Sequence, residues 1–210
     1  MRIVAQIAAE MVDVRAIAMA FSGLLRGYAD RGFPRDWKYC GVSLEDAQRR
    51  ANLEDIDECT RALDEGAPMV RAVYLWDGSD DGCTARLYLT DRARWFSFEA
   101  DGEWSALLSA QSAQLIELLL THFQVDWASV VNKWTASICP VTPGPLVVGL
   151  LSVASAGHLE PTRRFEAATI LGRSALRLVG SQDAEAELEL RELYLKACGK
   201  EERTCESKGR

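Results

Sequence analysis

The stretch that decides the fold runs from Met69 to Ala100, MVRAVYLWDGSDDGCTARLYLTDRARWFSFEA. In its first part Val70, Ala72, Tyr74 and Trp76 alternate with Arg71, Val73 and Leu75, a two-residue period that suits a pleated strand. The run Asp77-Gly78-Ser79-Asp80-Asp81-Gly82 then supplies the residue types that reverse a chain. Thr84 to Thr90 follows with Ala85, Leu87 and Leu89 on one face, and Arg94 to Ala100 sets Trp95 and Ser97 against Phe96 and Phe98. Strands in such close succession predict an antiparallel meander of three or four members. Asp101-Gly102 is a further favoured turn pair at its end.

Helical periods flank this centre. Met11 to Tyr28 places Val14, Ile17, Ala18, Phe21, Leu24 and Leu25 on a 3.6-residue stripe, with Gly32 and Pro34 beyond its end. Ser43-Leu44-Glu45-Asp46 offers a capping-box-like start to a second helix, and Glu54 to Leu63 reads as a third, with acids in its first turns where the helix dipole favours them. Downstream, Ser109 to Phe123 is an apolar helix with Leu115, Leu118, Leu119 and His122 at helical spacing, expected to pack across the sheet. The near-continuous apolar run Leu146–Ala154 predicts a central strand covered on both faces. Phe165 to Val179 fits helix and strand equally. Asp183 to Ala197 is helical, with Glu187–Arg191 and Glu192–Lys196 at i,i+4. With no internal repeat, linker or low-complexity block, the expectation is one α+β domain over residues 1–198, a meander or mixed sheet packed with helices, and a flexible tail over residues 199–210.

Composition sets the boundaries of function. The 210 residues are 48% apolar and 26% charged, with 15 Gly and 6 Pro, which excludes collagen-like and disordered classes and is enough for one sizeable core. Acids number 31 against 24 Lys and Arg, a net charge of −7 that disfavours direct binding to nucleic acid or to an anionic membrane. The acid is concentrated: eight carboxylates against three bases in residues 45–65, and seven against three in residues 77–104. Residues 1–10 make no secretory signal, and no apolar run reaches the roughly 20 residues of a membrane span, so a cytoplasmic protein is expected. The six cysteines (Cys40, Cys59, Cys83, Cys139, Cys198, Cys205) include no Cys-x-x-Cys, which predicts free thiols.

Reactive groups are few. Two histidines, His122 and His158, lie far apart with no His-Glu-x-x-His pattern, and the glycine loops that cradle phosphates and the Gly-x-Ser-x-Gly elbow are missing. Residues 77–82 imitate the start of a calcium loop, but its twelfth position is Tyr88 where a bidentate Glu is needed. The carboxylate pairs sit in polar turns or on amphipathic helices, where nothing sets their pKa values apart. No catalytic residue, cofactor or metal is therefore expected. The remaining enzymatic reading needs His158, Glu160 and Cys139 to converge. Binding is better supported: six tryptophans include Trp76 beside Asp77, Trp104 beside Glu103 and Trp127 beside Asp126, a pairing that suits an interface for a basic partner, while Trp95 and Trp134 read as core. The candidate interface comprises Trp76, Asp77, Asp80, Asp81, Asp101, Glu103 and Trp104, together with Glu54, Asp55, Asp57 and Glu58 of the first acidic block.

Met1-Arg2-Ile3-Val4-Ala5-Gln6, Gly41-Val42-Ser43-Leu44-Glu45-Asp46-Ala47 and Leu75-Trp76-Asp77-Gly78 before a hairpin resemble the immunity protein 52 family of bacterial polymorphic-toxin systems. The likeness covers mainly the first half of the chain. It implies a cytosolic α+β protein without enzymatic activity, whose partner is a cognate toxin carrying a restriction-endonuclease-like nuclease domain; that the chain contacts neither nucleic acid nor membrane directly is the expectation from its charge. The alternatives are a small enzyme with a site near His158 and an acidic adaptor or chaperone of a secreted effector.

Overall fold

Asp13 starts the first helix by accepting the Arg15 backbone N–H at 2.9 Å, which satisfies one of the amides a helix start leaves without a partner. In a computed structural model of the chain, the structure describes residues 1–8, 10–37, 39–41, 70–90, 94–131, 149–154 and 160–180, together with 185, 186, 189 and 192. The elements in chain order are β1 (Arg2–Ile7), α1 (Val14–Ala29), β2 (Tyr39–Gly41), β3 (Val70–Trp76), β4 (Cys83–Thr90), β5 (Arg94–Ala100), α2 (Gly102–Ala110), α3 (Ser112–His122), β6 (Val125–Val131), β7 (Gly149–Ala154), β8 (Phe165–Ile170) and β9 (Arg173–Leu178). Residues 185, 186, 189 and 192 are helical. The expected helices starting at Ser43 and Glu54 lie outside the described residues, as do Trp134 and residues 199–210.

The strands form one sheet in the order β2-β3-β4-β5-β1-β6-β7-β9-β8, and every neighbouring pair is antiparallel. Register lines up two rows of side chains across five strands. Leu75, Ala85, Phe98, Ile3 and Val130 make one row; Val73, Leu87, Phe96, Ala5 and Ala128 make the other. All ten are buried, so the alternation read from the sequence is the inner face of the sheet. Ile17, Phe21, Leu24 and Tyr28 of α1 and Leu115, Ile116 and Leu119 of α3 cover this face. Phe98 is the hub of an aromatic cluster, with ring centroids 4.9 Å from Tyr28, 5.2 Å from Phe33 and 6.4 Å from Trp37. Such edge-to-face pairs add about 0.5–1.5 kcal/mol each beyond area burial.

A second buried set lies on the opposite face. Ala128 and Ala175 belong to the main core, so their neighbours Trp127 and Leu176 point the other way, and Leu178 and Phe165 share that side. Ala186 is also fully buried, and Arg164 reaches Glu185 and Glu189 on its helical segment.

The structure departs from the sequence reading in definite places. The helix expected over Ser109 to Phe123 is α3, beginning at Ser112; a helix the sequence reading did not expect, α2, precedes it, and the two meet at Gln111, whose side-chain amide donates to the Arg31 carbonyl oxygen at 3.1 Å. Asp101-Gly102 does not open another hairpin: Asp101 is the cap of α2, and Gly102 takes a φ of +53° to make the bend. The apolar run of residues 146–154 contributes a strand from Gly149 that is interior, between β6 and β9, but the centre of the sheet is β1. Residues 165–179 resolve as a hairpin turned by Leu171 and Gly172, both at positive φ, as two-residue turns of this kind require.

Candidate functional site

The hairpin loop between β3 and β4 is built on Asp77. One carboxylate oxygen accepts from the Ser79 backbone N–H at 3.0 Å and from the Ser79 hydroxyl at 2.9 Å; the other accepts from the Cys83 N–H at 3.0 Å. Trp76 closes the loop from outside, its indole N–H donating to the Ser79 carbonyl oxygen at 2.9 Å. Gly82 is required for space: a Cβ there would stand 2.0 Å from Asp77 Oδ1 and 2.1 Å from Ser79 Oγ. Asp77 is thus turned inward to hold its own hairpin, whereas Asp80 and Asp81 are exposed.

The turn from β5 into α2 lies against this loop. Asp101 N–H donates to the Gly82 carbonyl oxygen at 3.1 Å, and a Cβ on Gly102 would come within 3.1 Å of Asp81 Cβ. Two sequence-separated acidic turns therefore form one corner of the molecule, containing Asp77, Asp80, Asp81, Asp101 and Glu103. Glu103 is exposed in the first turn of α2, where the positive end of the helix dipole favours it. The corner's field is felt by Cys83: burial first, and then the charges of Asp77 and Asp101, push its thiol well above the ordinary range, partly offset by the chain's amino terminus. Cys83 is a buried free thiol, and the raised pKa favours its protonated form.

The tryptophans divide. Trp76 and Trp104 are half-buried beside the acidic corner, Trp104 packing over Phe33 at 6.0 Å between centroids. Trp127 is buried, its indole N–H held by Gln6 Oε1 at 3.0 Å and its ring 5.5 Å from Trp95, so it offers nothing to a partner despite the adjacent Asp126. Glu54, Asp55, Asp57 and Glu58 lie outside the described residues, as do His158 and Cys139; Glu160 is exposed. Among the described residues, no group of three or more His, Cys, Asp and Glu side chains is placed to hold a metal ion. His122 is half-buried against α1, where a Cβ on Gly23 would stand 2.7 Å from its Cε1, and burial lowers its pKa. Among the described residues no helix is long and apolar enough to cross a membrane. Sequence reasoning missed that Asp77 is structural; the signal was available in Asp-x-Ser, a pattern in which the carboxylate bonds the backbone two residues on.

No protein-family model matches the chain, and no match was found among curated proteins. Solved structures do resemble it. The Pseudomonas aeruginosa T6SS protein PA0821 superposes with a TM-score of 0.54 over 93% of this chain and 72% of its own, at 11% sequence identity. At that identity the likeness is one of fold.

Proposed function

We propose that this chain is an immunity protein that binds a cognate bacterial toxin, a nuclease, and neutralises it stoichiometrically with no turnover of its own. The observation that carries this reading is the acidic corner: two turns, distant in sequence and joined by the Asp101–Gly82 hydrogen bond, concentrate carboxylates beside half-buried Trp76 and Trp104. A nuclease must present cationic groups to bind phosphates, and an acidic surface complements them, which speeds capture. The fold likeness to a protein described as belonging to a type VI secretion system supports the same setting, and the short strings at residues 1–6, 41–47 and 75–78 that resemble the immunity protein 52 family point the same way. The protein acts in the cytoplasm on this reading, touching neither nucleic acid nor membrane.

The test is to look for a toxin gene directly upstream of this one and to co-express the two. Restored growth, with a stable one-to-one complex on copurification and loss of nuclease activity in that complex, is expected. A complex whose nuclease remains active would make the chain an adaptor, and failure to restore growth would refute the reading.

A further inference from the structure

The face of β3, β4, β5 and β1 turned away from α1 and α3 carries side chains that the acidic corner does not use. Register places Tyr74, Arg86, Ser97 and Val4 in one row and Tyr88, Trp95 and Gln6 in the next. Towards β6 these rows are covered, with Ser129 and Trp127 buried. Towards β3 the face is covered too, since Tyr74 is buried; in the middle Arg86 is exposed, Tyr88 is 39% exposed, and Ser97, Val4, Gln6 and Trp95, the last read from the sequence as core, are half-buried. The Arg86 guanidinium carbon stands 4.7 Å over the Tyr74 ring, and among the described residues no ion pair joins it to a carboxylate. Tyr, Trp and Arg are the residue types that dominate binding energy at protein interfaces, because each offers a large contact area with a polar tip.

Resting on the immunity reading, we infer that this open face, centred on Arg86, Tyr88 and Trp95, is the surface that grips the toxin, while the acidic corner at its end steers the approach. The occupant is a protein surface with apolar side chains over Tyr88 and Trp95, a carbonyl or carboxylate over Arg86, and basic residues reaching Asp80, Asp81 and Glu103. Charge complementarity selects that occupant. The row Thr84–Glu99–Arg2 leads along this face to the corner, and Glu99 is already paired with Arg2, so the exposed carboxylates beyond it are the ones a basic rim would meet. A nucleic acid laid on the same aromatics would bring its phosphates against those carboxylates.

The experiment measures binding kinetics of the full chain and the toxin domain that the growth-restoring co-expression identifies, with Arg86→Ala, Tyr88→Ala and the pair Asp80→Asn/Asp81→Asn. Each variant is first shown to melt like the unmodified protein; these side chains are exposed, so folding should survive. Arg86→Ala and Tyr88→Ala should each raise the dissociation rate about tenfold with association within about twofold. The Asp80→Asn/Asp81→Asn pair should slow association and flatten its salt dependence, leaving dissociation unchanged. Amide-exchange protection on complex formation should fall on β4 and β5. A complex that forms normally, with dissociation unmoved by Arg86→Ala and Tyr88→Ala or with protection confined to the helices or β8–β9, overturns the assignment of this face and leaves the immunity reading standing. A single-stranded oligonucleotide that protects β4 and β5 would replace the protein occupant. If the unmodified chain and the toxin form no complex, the immunity reading falls and this inference with it.

Discussion

Replacing Asp77 separates the structural carboxylate of the acidic corner from its exposed neighbours. Asp77→Ala removes three hydrogen bonds, two to Ser79 at the exposed turn and one to the partly buried Cys83 N–H. Water can replace the two at Ser79. The Cys83 N–H is harder to rehydrate, and a buried donor left without a partner costs about 1–3 kcal/mol. Removing one negative charge from a corner that holds several relieves some repulsion, but at an exposed turn that gain is worth only a few tenths of a kcal/mol. The hydrogen bonds therefore win, and the net loss should be roughly 2 kcal/mol, or about 4–8 °C in melting temperature for a chain of this size. Asp77→Asn should recover part of it, since its oxygen can serve Ser79 or Cys83 but its amide faces the other as a second donor. Asp80→Asn and Asp81→Asn should stay within about 0.5 kcal/mol of the unmodified protein. Urea unfolding followed by circular dichroism reads all four. Equal stability of Asp77→Ala and Asp80→Asn would show that the carboxylate does not hold the hairpin.

Acidification should act through His122, whose pKa burial holds below its ordinary 6.5 although the C-terminal end of α3 favours the charged ring. The unfolded chain then takes up the proton first, so this contribution is whole above pH 6.5 and declines as the pH falls towards the folded value; urea midpoints for His122→Gln should lack that step. Gly23→Ala would press on the imidazole, and the Cβ should displace it outward and raise its pKa towards 6.5 in an NMR titration, with overpacking and improved helix propensity nearly cancelling in stability. At the alkaline end, Cys83 and Tyr28 are both pushed up by burial, so their stabilisation is present below about pH 9 and lost above it as the unfolded chain ionises; the Cys83 peptide should resist iodoacetamide at pH 8 until denaturant is added. Phe98→Ala should cost about 3–5 kcal/mol by emptying the centre of the aromatic cluster, and a calorimetric loss below 1 kcal/mol would show that the cluster collapses to fill it.

The β3–β5 meander was legible because its alternation is local and its turns use Asp and Gly. Strand β1 has the same alternation, Ile3, Ala5 and Ile7 against Arg2, Val4 and Gln6, yet no nearby turn announces its partners, which are Trp95–Glu99 and Val125–Val131. Strand β6 follows α3 after only Phe123 and Gln124, with no Gly or Pro to mark the change of period. The break at Gln111 was invisible for a related reason: no helix-breaking residue marks it, and the side chain there reaches a distant partner, the Arg31 carbonyl oxygen. At the candidate site, the carboxylates could be found by counting charges. Their division into inward Asp77 and outward Asp80 and Asp81, and their meeting with Asp101 and Glu103, depend on which strand ends adjoin. The exposure of Arg86 and Tyr88 was equally hidden, since alternation gives two faces without saying which one helices will cover.

The position of β1 has a kinetic consequence. Its two ladders join Arg2 to Glu99 on one side and to Val131 on the other, so the middle of the sheet can be zipped only after two long loops have closed. Such a topology places the entropy of ring closure before the reward, and refolding is expected on the slow side for a chain of this size, with the amides of β1, β5 and β6 acquiring protection in one common phase.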